Sequence, residues 1–117
     1  MSDNIVLEKS YSYALRIVRL YQYLTGGKGE YVLSKETLKT GTDIGAHIKA
    51  AQEAETKTVF ANEIFVALRQ ASKNEYWLNL LRDAGLLEEK EYKSIHADCE
   101  ELIRLLKAIS KTLRLPH

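Results

Sequence analysis

The chain has one cysteine, Cys99, and one proline, Pro116, among its 117 residues, and it has no long apolar run. A lone cysteine excludes an internal disulfide, so nothing argues for export. No proline precedes position 116, so none interrupts a helix. No segment approaches the ~20 apolar residues of a membrane span, and Met-Ser-Asp-Asn at the N-terminus is not a cationic leader. We therefore expect one cytoplasmic domain, residues 1–117, without membrane contact.

An excess of charge of either sign is also lacking. The chain has 17 lysines and arginines against 16 aspartates and glutamates, a formal net charge of +1. Affinity for nucleic acid or for an anionic membrane would therefore have to come from a local patch. The 45% hydrophobic and 28% charged residues are typical of a globular domain, and a chain of this length closes one core.

What the chain does have is four segments in which apolar residues recur every three or four positions, the period of core-facing helices. The predicted core positions are Leu7, Tyr11, Ala14, Ile17, Val18, Leu20, Tyr21 and Leu24 in the first segment, Thr37, Gly41, Ile44, Ile48 and Ala51 in the second, Phe60, Ile64, Ala67, Leu68, Ala71, Leu78 and Leu81 in the third, and Ile95, Cys99, Leu102, Leu106, Ile109 and Leu113 in the fourth. Because the connections are short, the pattern predicts an all-α fold, an antiparallel up-down four-helix bundle.

Residues with known preferences for helix ends stand at the predicted boundaries. These are Gly26-Gly27 at the end of the first helix, Ser34 as the N-cap of the second, Thr56 or Thr58 at the start of the third, Gly85 at its end, and Pro116 after the fourth. Tyr13 and Tyr23 are expected at the margin of the first helix's apolar stripe.

Two glycines inside the second helix, Gly41 and Gly45, lie on one face, where each costs up to ~1 kcal/mol relative to alanine. They predict a close approach by another backbone, either a neighbouring helix of the same bundle or another subunit. A phosphate-binding loop is disfavoured, because the glycines neither follow a strand nor open a helix.

Aromatic residues widen the apolar faces beyond what one bundle seam requires. The residues concerned are Tyr13 and Tyr23 on the first helix and Phe65 and Trp77 on the third. One interpretation is that they cover the core with their polar atoms at the surface. The other is an oligomer interface, where aromatic residues are enriched.

A basic ridge is the feature closest to a functional surface. Its predicted members are Arg104, Lys107, Lys111 and Arg114 on the last helix and Lys9, Arg16 and Arg19 on the first. If the two helices are neighbours, these side chains form one strip able to contact phosphates. The alternatives are cations that merely complement the helix dipole and a surface for acidic protein partners.

Catalytic and metal-binding patterns are not evident. His96 and Cys99 are three apart, but Cys99 lies in the apolar stripe and two ligands do not complete a zinc site. Asp43 and His47 make an ordinary i, i+4 surface pair. No glutamate stands three residues before a histidine, as di-metal bundles require. We therefore expect no catalytic residue, metal ligand or cofactor.

The stretch from Leu33 to Ala51, followed by Asn74-Glu-Tyr-Trp-Leu-Asn-Leu-Leu81, resembles the family of four-helix-bundle proteins named for intervening sequences in bacterial 23S rRNA genes. The second helix keeps the family's Ser34, Lys35, Leu38, Gly41, Thr42, Ile44, Gly45, Ala46, Ile48 and Ala51. It departs at Glu36, Thr37, Lys39, Thr40, Asp43, His47 and Ala50. The chain matches the family at the glycines and isoleucines and differs mainly at polar positions. The resemblance therefore implies the family's fold more strongly than it implies any role of a polar surface.

The resemblance implies a homo-oligomer, a ring of five subunits. It also implies kinship with a retroelement accessory protein that binds nucleic acid and a reverse transcriptase. Two functions are therefore expected of the chain. The first is a non-catalytic, self-associating helical interaction module, and the alternative is a nucleic-acid-binding accessory protein that uses the basic ridge.

Overall fold

The computed structural model describes residues 2–113, and these residues contain four α-helices and no strand. The helices are α1 (Ser2–Gln22), α2 (Leu33–Gln52), α3 (Lys57–Asp83) and α4 (Glu89–Leu113), and a π-helical turn, Tyr23–Gly27, extends α1. The all-α prediction is confirmed. None of these helices is both long enough and apolar enough to cross a membrane. Arg114, Pro116 and His117 lie outside the described residues.

The helices pack in chain order around the bundle, and the α1–α4 seam, which closes it, is the loosest. The contacts along each neighbouring pair of helices run in opposite residue order. Ile17 meets Gly41 and Ser10 meets Gly45 between α1 and α2, and Thr40 meets Asn74 and His47 meets Glu63 between α2 and α3. Asn79 meets Tyr92 and Ala71 meets Cys99 between α3 and α4, and Arg16 meets Asp98 and Lys9 meets Glu101 between α1 and α4. Every neighbouring pair is therefore antiparallel. The molecule is elongated, with principal extents of 49 × 22 × 21 Å.

The core face of α1 differs from the predicted one. Tyr11 is 67% exposed, whereas Tyr13 is 1% exposed and belongs to the core. Among residues 5–27 of α1 and its π-turn, the buried residues are Val6, Ser10, Tyr13, Ile17, Leu20 and Leu24. The prediction of Tyr11 in the core and Tyr13 at its margin was wrong because both tyrosines fit a broad apolar stripe. A shift of the stripe by about one residue, roughly 100° around a helix, exchanges them.

The predicted core positions of the other helices agree well with the structure. Every predicted position of α2 is buried, and α4 buries Ile95, Cys99, Leu102 and Leu106. Phe60 and Leu68 on α3, and Ile109 and Leu113 on α4, are partly buried against the same core.

The start of α2 is capped by Glu30, and the predicted cap at Ser34 was wrong. The Glu30 carboxylate accepts hydrogen bonds from the backbone N–H groups of Val32, Leu33 and Ser34 at 3.0, 2.7 and 2.7 Å. Ser34 lies inside the helix, and its hydroxyl donates to the Glu30 carbonyl oxygen at 2.8 Å. Burial opposes ionisation of the Glu30 carboxyl, but these N–H donors outweigh it and lower its pKa.

Both predicted ends of α3 are confirmed. The Thr56 hydroxyl accepts the Val59 N–H at 3.1 Å as an N-cap. At the other end Gly85 has φ +76°, the N–H of Leu86 donates to the Leu81 carbonyl, and the Gly85 N–H donates to the Arg82 carbonyl. This is the Schellman arrangement, which requires a left-handed residue that glycine adopts without strain.

Candidate interaction surfaces

The two glycines of α2 lie against α1. A Cβ atom on Gly41 would come within 2.8 Å of Ile17 Cγ1, too close for any side chain unless a neighbour moves. At Gly45 the same atom would lie 3.1 Å from Ser10 Oγ. Of the two alternatives from the sequence, these contacts correspond to a neighbouring helix of the same bundle.

An apolar trough opens beside this contact, because small side chains leave the α1–α2 seam shallow. Its volume is about 870 Å³. Tyr11 and the neighbouring Leu15 are exposed large side chains, so α1 presents apolar surface to solvent here. The residues that line the trough are Leu7, Glu8, Ser10, Tyr11, Ser12, Ala14, Thr42, Gly45, Ala46 and Lys49.

The four predicted interface aromatics do not form one surface. Tyr13 is in the core, and Tyr23 lines a separate groove on the α1–α4 seam, with the Lys28 ammonium 5.9 Å from its ring centroid. Trp77 borders an α2–α3 groove and packs edge-on to Tyr76, with ring centroids 5.1 Å apart. Phe65 is partly buried on α3.

The exposed aromatic residue beside the trough, Tyr11, was missed by the sequence reasoning. Its spacing fits the apolar stripe of α1, so no local signal distinguishes it from a core residue. Tyr11 is recognised as a surface residue only in the structure, where Tyr13 is buried and Tyr11 is exposed.

The predicted basic ridge divides into two parts with different surroundings. On α1, Lys9 pairs with Glu101 at 3.1 Å and Arg16 pairs with Asp98 at 2.8 Å. Arg16 also donates to the hydroxyl and carbonyl oxygens of Ser94. These two cations therefore fasten α1 to α4 across the loosest seam, where their charge is offset by carboxylates.

The α4 part of the ridge is exposed. Arg104, Lys107 and Lys111 are exposed and make no ion pair with the side chains of residues 5–113, and Arg19 on α1 is likewise exposed and without an ion pair among them. Arg114, the remaining predicted member, lies outside the described residues. Three adjacent turns of α4 thus each carry an exposed basic side chain.

The buried cysteine has the properties of a core residue. Cys99 is fully buried, and its thiol lies 3.6 Å from the Ala71 carbonyl oxygen, to which it donates. Burial raises the pKa of the thiol to about 12. The thiolate required of a nucleophile or a metal ligand is therefore strongly disfavoured at neutral pH.

The histidines make cross-helix contacts that the sequence pattern did not reveal. His47 Nδ1 lies 2.7 Å from Glu63 Oε1 on α3, and Asp43, its predicted partner, instead accepts a hydrogen bond from Gln70. His96 Nε2 lies 2.8 Å from Glu75 Oε2 on α3, and His96 Nδ1 lies 3.9 Å from Glu100 Oε1, one turn further along α4.

These observations define an all-α up-down bundle with an open apolar trough, an exposed basic stripe on α4, and a histidine held between two carboxylates. The family model for the 23S rRNA-intervening sequence protein matches residues 2–108, and the chain belongs to this family.

A solved structure is closely similar to the chain: a protein with unknown function from the S23 ribosomal protein family of Bacteroides thetaiotaomicron. It is 41% identical in sequence, with a TM-score of 0.93 over 95% of this chain and 99% of that one. A search of curated proteins found no match.

Proposed function

We propose that this protein is a cytoplasmic, non-catalytic, helical interaction module that associates with copies of itself. The observation that carries the proposal is the apolar trough on the α1–α2 seam, beside which Tyr11 stands 67% exposed. The protruding aromatic side chain of one subunit could pack into the shallow apolar trough of another, because the same chain provides both. Burying such a pair is a common basis of subunit contacts.

The non-catalytic part of the proposal is supported by the state of the cysteine. The Cys99 thiol is buried and its pKa is about 12, so it offers neither access nor a thiolate. Membership of the family supports self-association, and a ring of five subunits is the form that the resemblance favours.

The oligomer proposal predicts that the purified protein elutes as a multiple of 13.3 kDa, five-fold for the favoured ring. Tyr11→Glu places a charge at the trough and is expected to shift the protein toward monomer at micromolar concentration. Size exclusion with light scattering measures the mass, and circular dichroism checks the fold.

Tyr31→Glu is the matched control, because Tyr31 is 65% exposed and does not line the trough. It is expected to leave the mass unchanged. A wild-type protein that remains monomeric, or equal dissociation by both variants, would contradict the proposal.

A second candidate function, nucleic-acid binding, is favoured by one observation, the exposed stripe of Arg104, Lys107 and Lys111, which make no ion pair with the side chains of residues 5–113. Three cations on successive turns match a phosphate backbone, and repetition around an oligomer would add avidity. Lys9 and Arg16 are less suited to bind phosphate, because each already forms an ion pair with a carboxylate of α4.

This candidate predicts salt-sensitive binding to structured RNA or duplex DNA in fluorescence anisotropy. Changing Arg104, Lys107 and Lys111 together to glutamine should weaken binding. It should also flatten the dependence of log K on log salt by ~0.9 for each phosphate that the protein no longer neutralises.

A triple variant of the same net charge provides the control, with glutamine at Lys28, Lys35 and Lys90, exposed residues at the opposite end of the bundle. It is expected to bind as the wild type does. No binding at low salt, or equal weakening by both triple variants, would exclude the stripe as a nucleic-acid site.

A further inference from the structure

We propose that Glu75, His96 and Glu100 form a binding site for one divalent transition-metal ion of the Zn²⁺, Co²⁺ and Ni²⁺ class. One ligand atom from each residue lies within 4.8 Å of the other two. Glu75 comes from α3, whereas His96 and Glu100 stand one turn apart on the same face of α4. The site therefore bridges two helices at the bundle surface.

The donor set determines the class of ion. One imidazole nitrogen and two carboxylates provide borderline and hard ligands with two negative charges, which suits these dications better than ions that prefer thiolates or all-oxygen cages. Two ligands at ~2.1 Å from a metal are ~3.0 Å apart around an octahedral ion and ~3.4 Å apart in the tetrahedral arrangement that Zn²⁺ prefers. The 2.8 Å between His96 Nε2 and Glu75 Oε2 is slightly below both separations, so these two side chains move apart a little to admit the ion. Glu100 Oε1 lies 3.9 Å from the other ring nitrogen, Nδ1, so its exposed side chain turns toward Nε2 to complete the site. Water completes the coordination, because Glu100 is exposed and the other two side chains are partly so.

The histidine ring is held in place by neighbours that are not ligands. Tyr92 stacks on His96 with ring centroids 4.9 Å apart and planes at 19°. Tyr92 is itself fixed by the Arg82 guanidinium, 4.2 Å from its ring centroid, and by the hydrogen bond that its hydroxyl donates to Asn79. Because the ring is already oriented, metal binding costs less side-chain conformational entropy.

A second histidine provides an internal comparison. His47 and Glu63 make the same kind of cross-helix contact, at 2.7 Å, but no third ligand joins them among the described residues. The Glu75–His96 contact alone is likewise an ordinary hydrogen bond. Glu100 is the residue that turns this pair into a three-ligand set, so the proposal depends on its contribution.

The test is a titration of the metal-stripped, untagged protein with Zn²⁺ by calorimetry, and with Co²⁺ by visible absorption. We expect one ion per chain and a higher melting temperature with metal, because an ion that binds only the folded protein stabilises it. His96→Gln, Glu75→Gln and Glu100→Gln should each weaken binding at least about ten-fold, and His96→Gln should change the Co²⁺ spectrum.

Two controls separate this site from binding elsewhere on the chain. His47→Gln removes the comparison histidine, and Glu91→Gln removes an exposed carboxylate of α4. Both should bind as the wild type does, and melts of the metal-free variants verify that each is folded. Absence of binding, binding that persists in His96→Gln, or equal loss in His96→Gln and His47→Gln would overturn the proposal. An unchanged affinity in Glu100→Gln would also overturn it.

Discussion

Asn74 is a polar residue in the core of the bundle, and its side chain joins three helices. It is fully buried on α3. Its amide nitrogen donates to the Thr37 carbonyl and the Thr40 hydroxyl on α2, both at 3.0 Å, and its amide oxygen accepts from the Tyr13 hydroxyl on α1. Both polar atoms of the amide thus have protein partners. Such a network determines which turns of the three helices face each other, since a slip along any helix would leave buried polar atoms unpaired.

Asn74→Leu is expected to lower the free energy of unfolding by about 1–3 kcal/mol, because it leaves the Tyr13 hydroxyl buried without its acceptor. Adding Tyr13→Phe removes that hydroxyl and should recover part of the loss. Urea denaturation of the two single variants and the double variant measures the coupling between them. Strictly additive effects would show that the hydrogen bond does not contribute as described.

At the scale of the element, the start of α2 depends on a carboxylate that precedes the helix. The Glu30 carboxylate accepts hydrogen bonds from three successive backbone N–H groups, which have no acceptor within the helix. The negative charge also lies at the positive end of the helix dipole. The segment between the π-turn and α2 is therefore anchored by one side chain, whose contribution is largest when the carboxyl is ionised.

Glu30→Gln is expected to destabilise the protein by about 1 kcal/mol at neutral pH, the usual size of a helix N-cap contribution. The folded-state pKa of Glu30 is lowered from the ordinary 4.5, so its charge-dependent stabilisation is complete above that value and is lost as the pH falls through the lower folded pKa. Thermal melts of both proteins from neutral pH to pH ~3 should therefore converge at the acid end. A constant difference at every pH would mean that the charge is not involved.

At the scale of the whole molecule, most of the architecture could be predicted from the sequence, because apolar periodicity and helix-end residues are local signals. The stripe of α4 and the left-handed turn at Gly85 are examples in which the local preference and the fold agree. Tyr13 was misplaced because its burial depends on an acceptor, Asn74, that lies 61 residues away. The contact of His96 with Glu75 is equally invisible in the sequence, since only the pairing of α3 with α4 creates it.

The up-down order of the four helices gives the molecule two unlike ends. The first turn of α1 and the last turn of α4 lie at one end with the α2–α3 connection, because Lys9 faces Glu101 and all neighbouring helices are antiparallel. The π-turn, Glu30 and Gly85 lie at the other. A fluorophore or fusion partner attached before α1 or after α4 would therefore occupy the same pole. Tethering the protein to a surface through either attachment would leave the opposite pole, with the Glu30 loop, facing solution.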